Sequence, residues 1–210
     1  VIQIFTFNVF QENTYVLYDE TKACIIIDPG CYTQAERNKL TDFIKHKGLT
    51  PKRLINTHCH LDHVFGNPFV ATTYGLGLEI HPYEIPVLQN VDWAGKRFGV
   101  PVPTQPEPTA FIQEGDMITF GNTKLTTILA PGHSPGSLCF YNAEQGYLIG
   151  GDVLFYESIG RTDLPLGNHA TLLQSIQNKL FVLPDETVVY SGHGGKTTIG
   201  HEKKYNPFLN

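Results

Sequence analysis

Between Thr57 and His63 the chain reads Thr-His-Cys-His-Leu-Asp-His, which packs three histidines and one aspartate into the stretch His58 to His63. Few folds can use such a run. On an extended segment, residues two apart point to the same side, so His58 and His60 are placed to grip one metal ion together. Lys52-Arg53-Leu54-Ile55-Asn56 before it reads as the end of a buried strand, and Gly66-Asn67-Pro68-Phe69 after it as a turn into a helix. A helix starting after His60 would carry Asp62 and His63 to a different side, ready for a second ion. Imidazole nitrogen and carboxylate oxygen suit zinc, and also iron or manganese. The plainer alternative is a polar, histidine-rich loop.

Three further candidates each lie beside glycine. His133 sits in Pro131-Gly132-His133-Ser134-Pro135-Gly136, Asp152 in Gly150-Gly151-Asp152-Val153-Leu154-Phe155, and His193 in Ser191-Gly192-His193-Gly194-Gly195. Apolar runs, Leu125 to Ala130, Tyr147 to Ile149 and Val188 to Tyr190, precede them. Each polar residue therefore falls where a strand ends and a loop begins, the usual place for a site held by a rigid sheet. Taken singly, each reads first as a turn residue; all three together, beside the first stretch, shift the reading to a site.

A chain of 210 residues suffices for one domain with a sizeable core. The formal charge of -5 comes with no basic stripe, which speaks against a general nucleic-acid binder. No apolar run reaches the length of a membrane span. The start, Val1-Ile2-Gln3-Ile4-Phe5, does not read as a signal peptide. Cys24, Cys31, Cys59 and Cys139 match neither a disulfide framework nor a zinc ribbon. Free thiols fit a reducing compartment, so the expected location is the cytoplasm.

Taken in order, Val1 to Phe10 and Thr14 to Tyr18 read as antiparallel strands around a turn at Gln11-Glu12-Asn13. Lys22 to Ile27 is a buried third strand closed by Asp28-Pro29-Gly30. Gln34 to Gly48 has helical spacing, Phe69 to Tyr74 a short helix, and Leu78 to Ile80 a strand before His81, read as a packing residue. Pro82 to Phe98 reads as irregular helix. Four prolines between Pro101 and Pro108 predict a lip. Trp93 and Phe98 before it read as packing residues in preference to substrate-facing ones. Phe111 to Gly115 and Met117 to Phe120 open a second half. Strands follow at Leu125 to Ala130, Ser137 to Tyr141, Tyr147 to Gly150 and Thr187 to Tyr190, with a helix from Ala170 to Phe181. His46, His169 and His201 read as surface or capping residues.

The motifs HxHxDH, PGHSPGS, GGDVLF and GHGG together resemble the metallo-β-lactamase fold superfamily. Gly160-Arg161-Thr162-Asp163 and the ending Thr198 to Leu209 are most similar to its glyoxalase II-like (hydroxyacylglutathione hydrolase-like) branch, in the short form without the C-terminal helical domain. The resemblance covers nearly the whole chain. It implies an α+β fold, a four-layer αββα sandwich with the site at one edge of the two sheets, as a single domain over residues 1–210. It also implies two divalent ions, zinc first, with iron or manganese also suited. His58, His60 and His133 would take one ion, Asp62, His63 and His193 the other, and Asp152 would bridge them. Asp28 would support the site from behind, or else simply start a turn. Arg161 stands where a basic residue contacts the thiol ligand in the family, so it is the candidate substrate-binding residue, with a structural turn over Gly160 to Asp163 as the equal alternative.

The expected activity is that of a metal-dependent hydrolase cleaving an S-lactoylglutathione-like thioester. A metal-bound hydroxide would attack the carbonyl at a dinuclear centre, with Asp62 and Asp152 as the catalytic carboxylates. Two dications less two carboxylates and one hydroxide leave the centre net positive, which favours an anionic small-molecule substrate. One alternative is a mononuclear-iron persulfide dioxygenase of the same superfamily, using residues matching His58, His133 and Asp152. Another is a non-catalytic metal-binding protein. A β-lactamase is disfavoured because Asp152 stands where the common zinc-lactamase subclass has a cysteine, and a nuclease because basic clusters are lacking. Neither membrane nor nucleic acid is expected as a partner.

Overall fold

The structure is a computed structural model that describes residues 1–209. It falls into two compact units, one of Val1–Ile112 with Thr119–Lys124, the other of Gln113–Ile118 with the chain from Leu125 onward.

In the first unit, β1 (Ile2–Phe7) and β2 (Glu12–Tyr18) pair antiparallel, with Phe7 opposite Glu12. The turn lies earlier than Gln11-Glu12-Asn13. Asn8 and Gln11 take left-handed φ values of 50° and 56°, and the Asn8 side chain accepts from Phe10 N at 3.0 Å. Glu12 and Asn13 are thereby drawn into the strand. β3 (Ala23–Ile27) is wholly buried. Then comes α1 (Gln34–Lys47), which starts in a capping box between Thr33 and Glu36 and stops at Gly48 in the left-handed conformation. β4 (Thr50–Ile55) lies parallel to β3. The loop over residues 56–60 and α2 (Leu61–Val64) follow, then α3 (Asn67–Tyr74) and β5 (Leu78–Ile80). After a 3₁₀ turn at Pro82–Glu84 come α4 (Ile85–Gln89), α5 (Val91–Phe98) and, past the proline lip, β6 (Pro108–Phe111).

These strands form one six-stranded sheet in sequential order. Phe111 therefore closes the first sheet, opposite Ile80, instead of opening the second half. The proline lip returns the chain to the edge of β5, where a strand can begin on proline without losing a ladder bond. The core of this unit sets Ile26, Leu54 and Leu78 from the sheet against Leu40, Ile44, Val64 and Val70 from the helices. Trp93 is 52% exposed, so packing does not account for it, whereas Phe98 sets its ring edge-on against Phe10.

The second sheet contains β7 (Met117–Phe120), β8 (Thr123–Leu129), β9 (Leu138–Asn142) and β10 (Tyr147–Gly151). A small hairpin of β11 (Leu154–Phe155) and β12 (Ser158–Ile159) leads to α6 (His169–Ser175). The helix expected to reach Phe181 as one piece instead widens into a π-helical turn over Ile176–Leu180, which keeps both of those end residues buried. β13 (Val188–Ser191), β14 (Thr197–Thr198) and α7 (Ile199–Tyr205) complete the unit. The sheet order is β14-β13-β10-β9-β8-β7. β9 is antiparallel to both β8 and β10, and β13 is parallel to β10. β8, β10 and β13 thus run the same way and end at one edge. Among the described residues no helix is long and apolar enough to cross a membrane.

Candidate metal centre

The first ligand set follows from the parallel pairing of β3 and β4. Ile27 lies opposite Ile55, so the residues beyond them leave the sheet side by side. Asp28 turns at once into the left-handed region, φ 50°. That conformation costs an ordinary residue about 1 kcal/mol, and aspartate tolerates it better than most. It aims the carboxylate at the neighbouring loop. Asp28 Oδ1 accepts from Thr57 N (2.7 Å) and Asn56 Nδ2 (3.3 Å), and Oδ2 accepts from Thr57 Oγ1 at 2.6 Å. His63 Nδ1 lies 3.1 Å from the same Oδ2.

The His58 ring stands edge-on to His60 with centroids 4.8 Å apart, as the two-residue spacing predicts. It lies closer still to His63, at 4.1 Å. The sides offered by the extended segment and by α2 are therefore adjacent. Asp62 Oδ2 is 3.6 Å from His63 Nε2. Ligand atoms of Asp28, His58 and His63 all lie within 4.8 Å of one another.

The second set stands at the common edge of β8, β10 and β13. Asp152 Oδ2 is 3.5 Å from Nε2 of His133 and 3.5 Å from Nε2 of His193. The His133 ring is held by its Nδ1, 2.8 Å from the carbonyl oxygen of Arg161. Gly160 explains why that carbonyl can come so near. A Cβ there would lie 2.0 Å from Asp152 O and 3.0 Å from His133 Cβ, so only glycine fits. The Arg161 guanidinium is turned outward and pairs with Asp163 through two bonds of 2.7 Å. This hydrogen bond from Arg161 is what holds the exposed Asp163 carboxyl down at about 2.

Hydrogen-bond direction tests whether these histidines suit a metal. His133 Nδ1 faces a carbonyl, which only accepts, so Nδ1 carries the proton. His63 Nδ1 faces a carboxylate, with the same result. Thr57 Oγ1 has one hydrogen and gives it to Asp28, so it accepts from His58 Nδ1 at 3.1 Å. In the neutral form all three rings are left with the lone pair on Nε2, the tautomer a ligand needs. The donor set fits divalent ions.

Several residues near the first set carry no sequence signal of their own. Glu84, fully buried, accepts from Cys59 N at 2.7 Å and so pins the loop between His58 and His60. Glu12 is also fully buried, and Thr14 Oγ1 donates to it at 2.9 Å. Burial holds the Glu12 carboxyl well above its usual range; His63 opposes this, and Asp28 and Asp62 add to it. Asn56 and Asn67 are likewise buried. His81, as expected, packs in a turn, its Nδ1 accepting from Tyr83 N.

Residues 7–193 match the family described as Metallo-beta-lactamase superfamily. The chain belongs to that superfamily. It is 39% identical over 201 residues to the probable metallo-hydrolase YqgX of Bacillus subtilis, covering 95% of this chain and 93% of that one. It is 37% identical to the hydroxyacylglutathione hydrolase GloC of Haemophilus influenzae, covering 100% and 98%. Among solved structures it superposes on the BLEG-1 B3 metallo-beta-lactamase with a TM-score of 0.92, at 36% identity and 100% coverage of both chains. TTHA1623 in a di-iron-bound form gives 0.89 at 35% identity, covering 99% of this chain and 100% of that one. The fold is that of the superfamily, and a metallo-enzyme with histidine and aspartate groups suited to metal ions is the class to which the chain belongs.

Proposed function

We propose that the two ligand sets converge on one dinuclear centre in a single domain, and that the chain hydrolyses a thioester of the S-lactoylglutathione kind. His58, His60 and His133 would hold one ion, Asp62, His63 and His193 the other, and Asp152 both. The observation that carries this reading is Asp152 Oδ2, 3.5 Å from Nε2 of each of two histidines, an anionic oxygen set between two imidazole nitrogens. The end-to-end relation to GloC supports the substrate class. Zinc is the expected metal, and the likeness to a di-iron protein makes iron the first alternative.

Two divalent ions in such a site supply Lewis acidity and a water that ionises near a pH of about 7. The protein's own groups prepare the site for that chemistry. Asp28, Thr57 and the Arg161 carbonyl keep the lone pairs of His63, His58 and His133 on Nε2. Asp62 and Asp152 offset part of the positive charge and leave the site attractive to an anion. Arg161, by exchanging Asp163 for a substrate carboxylate, would orient that substrate. The departing thiolate, whose acid has a pKa of about 8.5, needs no proton donor at the moment of cleavage.

The test is elemental analysis of protein purified without added metal, beside a panel of thioester, lactone, β-lactam and glutathione persulfide substrates. Two zinc ions with thioester cleavage are expected. One iron per chain with oxygen uptake on the persulfide would replace the hydrolase by a dioxygenase. The second reading is a β-lactamase, favoured by the likeness to BLEG-1. The aspartate at position 152 argues only against the common subclass, and β-lactam turnover above thioester turnover would decide for that reading.

A further inference from the structure

Behind the first ligand set lies a line of side-chain amides that ends in the proline lip. Asn56 Nδ2 donates to Asp28 Oδ1 and, at 3.0 Å, to the carbonyl of His63. Both partners only accept, which fixes the Asn56 amide with its Oδ1 facing Asn67. Asn67 therefore presents Nδ2, which donates to Asn56 Oδ1 at 2.8 Å and to Gln105 Oε1 at 3.2 Å. Gln105 is held with its oxygen inward because its Nε2 donates to Pro103 O at 2.9 Å. Each amide sets the orientation of the next, from the Asp28 carboxylate out to the lip.

Packing alone does not explain these amides. Asn56 and Asn67 are 0% exposed. Asn67 Oδ1 has no hydrogen-bond partner among the described residues, a cost of about 1–3 kcal/mol that an apolar side chain of similar size would avoid. What Asn67 brings is the two N–H donors of one amide nitrogen, one to Asn56 and one to Gln105. Gln105 is also a wall residue of a cleft of about 350 Å³ lined by Ile85, Leu88, Val102 and Phe111, so the outer end of the line stands on an accessible surface.

We infer that Asn56, Asn67 and Gln105 are positioning residues that fix the Asp28 carboxylate and the His63 ring, and that the order of the proline lip is thereby coupled to the affinity of one metal position. The inference rests on the reading of His63 as a ligand. Full-length wild type, N67A, Q105A and Q105E are compared for Zn(II) stoichiometry and affinity by competition with a chromogenic chelator, beside the melting temperature of the metal-free protein. N67A weakens the ion held by His58, which Asp28 braces only through Thr57, slightly, and the ion held by His63 about tenfold, at the low end for supporting residues. Q105A weakens the same ion a few-fold with an unchanged metal-free melting temperature. Q105E recovers part of the affinity lost in Q105A, because a carboxylate accepts the Asn67 N–H as the amide oxygen does but gives up the bond to Pro103 O. If N67A fails to fold, the Gln105 pair decides. Wild-type affinity in Q105A, or equal loss in Q105A and Q105E, would overturn the coupling while leaving the metal centre intact. A wild type that binds no divalent ion would overturn both.

Discussion

The two units brace their histidines in different ways. In the first, the brace is made of side chains: Asp28 holds His63, and Thr57, itself held by Asp28, holds His58. In the second it is backbone, the Arg161 carbonyl on His133, made accessible by the missing side chain of Gly160. A side-chain brace is lost with one substitution of the bracing residue. A backbone brace survives replacement of the residue that supplies it and fails when a neighbour gains bulk.

The largest expected effect removes the carboxylate on which the second set centres. Asp152→Ala should lose turnover altogether and lower metal content at both positions; full metal with full turnover would end the bridging assignment. Gly160→Ala comes next. Its Cβ meets Asp152 O and His133, an overpacking cost of about 1–3 kcal/mol, read as a lower melting temperature together with reduced metal content. Asp28→Asn should weaken metal binding about 10–100-fold by removing the acceptor of His63. By contrast, Arg161→Ala keeps the bracing carbonyl, so metal content should not change. Its KM for an anionic thioester should rise several-fold, and an unchanged KM would take Arg161 out of the substrate site.

The smallest effect concerns Cys59, inside the first loop and fully buried. Burial, then the negative charges of Glu84 and Asp28, push its thiol well above the usual range. Cys139 in the second unit is pushed up to about 12 by burial. Native protein should therefore react slowly with a thiol reagent at pH 8, while unfolded protein exposes all four cysteines. Asp28→Asn should speed labelling of Cys59, and Arg161→Ala should not. Equal rates in the two variants would mean that side-chain and backbone bracing do not differ as described.

The residues of the first ligand set were legible because they are contiguous: a strand, two histidines at period two, then a helix put four donors in one loop from local rules alone. Those of the second set were legible only through glycine-flanked motifs and a family resemblance. Their nearness to one another depends on β8, β10 and β13 running the same way, which pairing partners distant in sequence decide. Helix α1 was readable from its capping box and terminal glycine. The break in α6 was not, because it serves the burial of Ile176 and Leu180. Nor was the turn at Asn8–Gln11, where two residues other than glycine take positive φ.

What the sequence by itself determined was the donor types available, the strand-to-loop placement of His133, Asp152 and His193, and most elements of the two sheets. Those features come from short-range periodicity, turn residues and donor type. Only the tertiary structure decided which ring nitrogen of His58, His63 and His133 carries the proton, that Glu84 and Asn67 stand behind the segment from His58 to His63, and that Arg161 braces His133 through its carbonyl. The reason is physical: a hydrogen bond's direction and a side chain's burial are set by the groups that folding brings near, and no local pattern records them.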